Sequence, residues 1–313
     1  MSGSQQRRIS ASILLISAAG LIYYATANWA DFRRLSLVAP GYLGALVVLL
    51  ILEYFVIGLT IMTLTRPLGL KLGMAEAFVL SLMTGFHNLV LPFRGGMVTR
   101  AVYLKTRHNF TYTNFLASLS AGYVLTYLMA SFLGMLSLLY AQAVQGVASG
   151  VLLLAFIAIF VSLLLVVLFS PQLRDTRSAW INKFIHVING WASIKNNRRM
   201  ILATAVLSLI QILLETAAVF LQFRVFGIDV SPVKSLYLAS VGLLGQLIQL
   251  TPAGLGVNEA LVVFSAQAIA VTLAQTLAAT LLGRLVAFVA LAVLGPIATY
   301  RLTRNVTPLG SAE

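Results

Sequence analysis

Apolar runs long enough to cross a bilayer recur along this chain, and two further apolar stretches are cut by proline and glycine. A hydrocarbon core about 30 Å thick needs ~20 apolar residues in helical form. Residues 9–28, 41–64, 114–140, 149–169, 200–223 and 274–300 each supply such a run. The 313 residues are 60% hydrophobic and 9% charged, more apolar surface than a soluble fold of this size can hide. The pattern predicts an all-α polytopic membrane protein with about six full spans, forming a single integral membrane domain over 1–313. The N-terminal apolar run follows two arginines and lacks a small-residue cleavage site, so it reads as a retained helix.

The two broken stretches are the informative exceptions. Residues 75–91 run apolar into His87-Asn88-Leu89-Val90-Leu91-Pro92, and Phe93-Arg94-Gly95-Gly96 follows. The arm after that, through Arg107, is too charged to cross lipid alone. Residues 241–264 begin as a helix, break at Thr251-Pro252-Ala253-Gly254-Leu255-Gly256, and resume with Glu259 on the next turn. Proline removes an amide donor and glycine opens turns that other residues resist. Within a bilayer a broken backbone persists only where protein or a water-filled cavity satisfies it. Both stretches are therefore expected to be re-entrant helical hairpins and parts of a binding site.

The halves of the chain correspond. Leu68-Gly69-Leu70 precedes the first broken helix and Phe226-Gly227-Ile228 the second, with 23 residues from Gly69 to Pro92 and 25 from Gly227 to Pro252. Each unit follows a span with one glutamate, Glu53 lying 39 residues before Pro92 and Glu215 lying 37 before Pro252. The expectation is a duplicated unit, 41–140 and 200–302, joined by a basic linker at 171–199. If each hairpin enters and leaves on one side, 15 of the 21 Lys and Arg fall on one face and four on the other. Basic loops stay cytoplasmic. That orients the two units as an inverted repeat, with both termini cytoplasmic in a bacterial-type inner membrane. In the linker, Trp180, Ile181, Phe184, Ile185, Ile188 and Trp191 recur at helical spacing, as in a helix lying in the headgroup region.

Charge inside lipid marks the candidate site. An ionised side chain at the bilayer centre costs roughly 2.5–3.5 kcal/mol unless it is paired or hydrated. Glu53, Glu215, Glu259 and Arg284 lie in or beside apolar helices, and Arg284 is a partner for Glu259 or Glu215. A structural ion pair or a helix–helix hydrogen bond would account for such carboxylates as well as a coupling role would. At the first break, Arg94 and Arg100 flank Gly95-Gly96 where a new helix begins. Helix-terminal amides and guanidinium groups suit a phosphate, although cytoplasmic snorkelling would also place arginines there. The substrate-binding set is then Arg94, Arg100, Gly95, Gly96, Pro92, Asn88, Pro252, Gly254, Gly256 and Glu259, with Glu53, Glu215 and Arg284 as coupling or charge-pair residues. Cysteine is absent and His87, His108 and His186 are scattered, so no metal or cofactor motif is expected. The net charge of +13 is carried mainly by loops, which points to anionic headgroups rather than nucleic acid.

At both breaks the sequence resembles the membrane region of the lysylphosphatidylglycerol synthase/flippase family. The first family pattern, roughly Pro-x-Arg-x-Gly-(Glu/Asp)-x-x-Arg, corresponds to Pro92-Phe93-Arg94-Gly95-Gly96-Met97-Val98-Thr99-Arg100, with Met97 at the acidic position. The second, roughly Thr-Pro-Gly-Gly-Leu-Gly-x-x-Glu, corresponds to Thr251 through Glu259, with Ala253 at one glycine and Asn258 at a commonly basic position. The resemblance implies a standalone lipid translocator without the synthase domain, acting on an anionic or aminoacylated phospholipid or a polyprenyl-phosphate lipid. Its partners would be those lipids and, beyond them, a second copy of the chain or a lipid synthase. The alternatives are a membrane-embedded enzyme of lipid or isoprenoid metabolism and a non-transporting accessory subunit.

Overall fold

A computed structural model describes residues 37–91, 93–146, 149–169, 194–246 and 256–304, and the isolated positions 172–174, 176, 182, 185, 189 and 191. The expected first span at 9–28, Pro92, Pro252 and Gly254 lie outside the described residues, as does most of the expected interfacial helix. Four helices, α1 (Tyr42–Thr65), α2 (Met74–Val90), α3 (Gly95–His108) and α4 (Tyr112–Gln145), are followed by α5 (Gly150–Phe169). Four more come after the linker: α6 (Arg198–Val225), α7 (Pro232–Gly245), α8 (Val257–Ala266) and α9 (Leu273–Thr303). The described residues contain no strand. The chain is an all-α, multi-pass membrane protein.

Among the described residues, α1, α4, α5, α6 and α9 are long and apolar enough to cross a membrane. The broken helices are shorter. The 17 residues of α2 rise about 25 Å and the 14 of α3 about 21 Å, below the ~30 Å of a hydrocarbon core. The outward faces of the spans, such as Leu154, Leu165, Val289 and Val293, are exposed apolar surface that lipid would cover.

Local chemistry punctuates both halves in the same places. After α1 the chain turns at Gly69 (φ +91°), and the Leu70 amide donates to the Thr65 carbonyl at 3.2 Å. After α6 it turns at Gly227 (φ +70°), and the Ile228 amide donates to the Phe223 carbonyl at 3.1 Å. This left-handed turn returns a later amide to an orphan carbonyl of the last helical turn. Asn109 (φ +58°) ends α3 and Ala270 (φ +55°) follows α8, again with a later amide reaching back, Phe110 to Leu104 and Val271 to Ala266. Thr111 and Thr272 stand two residues beyond these turns, and their hydroxyls cap α4 and α9 by accepting from the Asn114 and Gln275 amides.

The packing pairs off similarly. α1 lies along α6, with the most extensive contact among the described helices. α2 packs on α1 and α9, while α7 packs on α6 and α4. Two cores result. One joins Leu80, Leu104 and Phe110 to Leu291 of α9, and the other joins Tyr237, Leu238 and Val262 to Leu138 of α4. Each broken pair closes over a glycine. A Cβ on Gly96 would overlap the Thr84 carbonyl and Asn88, and one on Gly245 would overlap Asn258. α5 rests on α4, with Phe156 seated over Gly134. Trp191, expected on a headgroup-facing surface, is instead buried against Ala121, Val124 and Leu125 of α4 and Met200 of α6. Packed between helices, so large a side chain buries more apolar area than it would at an interface.

Candidate functional site: a charged cavity between two broken helices

The first break is built from strained backbone. Phe93 and Arg94 both adopt left-handed φ values, +54° and +57°, a region that non-glycine residues rarely occupy. Consecutive strain of this kind is held by its surroundings. Here the Asn88 side chain accepts from the Gly96 amide at 2.9 Å and ties the end of α2 to the start of α3. The turn aims Arg94 inward. Its guanidinium donates to the Tyr123 hydroxyl and to Tyr127 (3.4 Å), and sits 4.9 Å above the Tyr123 ring. It also donates to the carbonyl of Gln246, the residue that ends α7. One side chain thus reaches from the first break to the threshold of the second.

Arg100 lies on α3 beyond the turn and is 7% exposed. Its guanidinium stacks 5.2 Å from the Phe115 ring, and its Nε has no hydrogen-bond partner. The titratable groups that act on its charge are Tyr123 and Arg94, with no carboxylate among them. A buried cation left in this state is costly.

At the second break the charge is consumed internally. Gly256 (φ +86°) starts α8, and its amide donates to Glu259 Oε2 at 2.7 Å. This is the acidic half of a capping box, built on a residue with no side chain of its own. The other oxygen, Oε1, pairs with Arg284 Nε of α9. Glu259 is fully buried, so the carboxylate fastens α8 to α9 and lies behind the cavity wall.

A cavity of about 490 Å³ lies among these elements. Arg94, Arg100, Asn88, Asn258 and Arg284 line it together with Glu53 of α1 and Glu215 of α6. Glu53 accepts a hydrogen bond from the Gln211 side chain, and its charge is close enough to that of Glu215 for the two to repel. The structure therefore brings Arg94, Arg100, Asn88, Glu53, Glu215 and Arg284 to one space. Gly95 and Gly96 form the turn beside it, and Glu259 and Gly256 stand behind it. Pro92, Pro252 and Gly254 are outside the described residues.

Sequence reasoning missed Tyr123, Tyr127 and the Gln246 carbonyl. Two tyrosines four residues apart inside an apolar span were the available signal, since such a pair shares one helix face. A backbone carbonyl leaves no signal. A second, smaller cluster was missed as well. Glu76 at the start of α2 meets the Tyr103 hydroxyl and His108 Nε2, each at 2.6 Å, near Arg107 and Arg301. No group of three or more metal-ligating side chains occurs among the described residues.

The fold and cavity define a class, a polytopic helical membrane protein with a charged cavity among its helices. Residues 9–295 match the family model for the lysylphosphatidylglycerol synthase TM region, and the chain belongs to that family. No curated protein and no solved structure matches it.

Proposed function

We propose that the protein is a lipid translocator that carries a phosphate-bearing headgroup across a bacterial-type inner membrane, with both termini cytoplasmic. The observation that carries this reading is Arg100, a buried guanidinium without a carboxylate beside a cavity that Arg94 also lines. An isolated anion costs several kcal/mol or more to bring into an apolar interior. Two arginines whose described partners are aromatic or uncharged can offset that cost, because charge-assisted hydrogen bonds are about twice as strong as neutral ones. The cavity suits a headgroup, while acyl chains remain in the lipid around it.

The matched turns, caps and packing of the two halves support a duplicated unit. With the basic-loop asymmetry they support an inverted arrangement in which the hairpins approach each other from opposite sides. Arg94 reaching Gln246 fits hairpin ends that meet inside the membrane. In this reading Arg94 and Arg100 bind the phosphate, Asn88 holds the turn, and Glu259 with Arg284 anchors the wall. The test is reconstitution into liposomes containing fluorescent anionic, zwitterionic or lysyl-modified lipid, scored by the fraction a membrane-impermeant reductant can reach. Movement selective for phosphate-bearing anionic headgroups is the expected result. Absence of movement for every lipid class would refute the reading.

A further inference from the structure

The proposed phosphate site leaves two carboxylates unexplained. Glu53 lies on α1 and Glu215 on α6, helices that pack extensively on each other. Both side chains line the cavity, and they are close enough for their charges to interact. Gln211 hydrogen-bonds Glu53, and neither glutamate has a basic partner among the described residues. The titratable and charged groups that share the cavity are Tyr54 from α1, Tyr123 and Tyr127 from α4, Arg94 and Arg100 from the first hairpin, and Arg284 from α9. Arg284 is already engaged by Glu259. α2 and α7 contribute no charged lining residue among those described.

We propose that Glu53 and Glu215 form a proton-binding pair that holds one proton between them and couples its passage to that of the anionic headgroup. This rests on the translocator reading of the same cavity. Two facing carboxylates in one low-dielectric space do not both stay ionised, and sharing a proton removes the repulsion. The independent observation is Arg100 on the same cavity, nine-tenths buried and with a buried Nε that has no acceptor, a place for an anion.

The coupling then has a sign. An anion at Arg94 and Arg100 makes the cavity more negative and favours the proton on the pair. By reciprocity, the proton favours the anion by the same factor. Proton and headgroup therefore cross in the same direction, and lipid accumulates in the leaflet facing the alkaline compartment. One proton per lipid sets a limiting asymmetry of about tenfold per pH unit, because tenfold is the free-energy equivalent of one unit.

Two measurements on the full chain in proteoliposomes test this. Infrared difference spectroscopy reads the protonated-carboxyl C=O stretch without requiring any lipid to move. A band present in wild type at neutral pH, strengthened by anionic over neutral vesicles and absent from the Glu53→Gln/Glu215→Gln double variant, is expected. No band in wild type, or a band that persists in the double variant, would overturn the pair. The second arm imposes a pH gradient with the membrane potential clamped and reads lipid asymmetry as a ratio with and without the gradient. The ratio should approach tenfold per unit in wild type and fall to one in the double variant. A ratio of one in wild type would overturn the coupling while leaving translocation standing. Lipid immobile in every condition would sink the translocator reading, and the infrared result would still decide the pair.

Discussion

The two breaks are opposite in charge economy. The first turns through left-handed Phe93 and Arg94 between α2 and α3, and beyond the second α8 starts at Gly256 (φ +86°); in each pair the helices close over a glycine. At the first, the described hydrogen-bond acceptors of Arg94 are all uncharged, and Arg100 has a buried Nε without an acceptor. At the second, Glu259 accepts from the Gly256 amide and its charge is balanced by Arg284. The comparison teaches that an ionisable group at a helix break is not by itself a ligand site. What matters is whether the fold has already neutralised it. One break holds charge in reserve and the other uses charge as a fastener.

The sharpest way to break this contrast is at Arg284. Arg284→Ala leaves a fully buried carboxylate without its cation, and loss of one partner of a buried pair costs about 3–5 kcal/mol. Thermal unfolding in detergent, followed by tryptophan emission, should show the largest loss of stability of the set. Arg100→Met should move the other way. It removes a buried charge that nothing pairs and fills the space with apolar atoms, a gain of about 1 kcal/mol or more. Loss of anionic-lipid binding should accompany that gain, read by native mass spectrometry with added anionic and zwitterionic lipids. Opposite signs at the two arginines are the signature of the difference between the breaks.

Smaller changes sharpen it further. Tyr123→Phe removes one acceptor of the Arg94 guanidinium, and a hydrogen bond to a charged group contributes about 1.5–3 kcal/mol. Part of that loss should be recovered when anionic lipid is added, because a phosphate replaces the acceptor. The smallest effects should come from Thr111→Ala and Thr272→Ala, which delete the matching caps of α4 and α9 at about 1 kcal/mol each. Similar losses at these two positions, in the same unfolding assay, fit the correspondence between the halves. A loss confined to one would show that the halves bear load differently.

Much of the fold was legible because membrane spans advertise themselves. The expected run at 41–64 coincides with α1 to within a residue, and the expected 75–91 helix coincides with α2. The turn glycines Gly69 and Gly227 were recognisable from their neighbours, and their positive φ values supply the reason. The pairing of Arg284 with Glu259 followed from the cost of leaving either alone in lipid. Rotation about each helix axis was not legible. A helix that is apolar almost all round, as α1, α5 and α6 are, gives no amphipathic stripe to say which face looks inward. The sequence named Glu259 for substrate binding and Glu53 and Glu215 for coupling, without saying which of them faces a cavity; the fold buries Glu259 fully and has Glu53 and Glu215 in the cavity lining. Tyr123 and Tyr127 share one face of α4, a signal that does not say what the face meets, and the Gln246 carbonyl leaves none because backbone acceptors are uniform along a chain.

The most direct test of the central claim is lipid translocation by Arg100→Gln in liposomes, with the folded state checked by thermal unfolding in the same preparation. If the first break reserves its charge for an anionic headgroup, the variant should unfold no earlier than wild type and move anionic lipid at least tenfold more slowly, the effect of about 1.4 kcal/mol. A stably folded Arg100→Gln protein that moves anionic lipid at the wild-type rate would contradict the account.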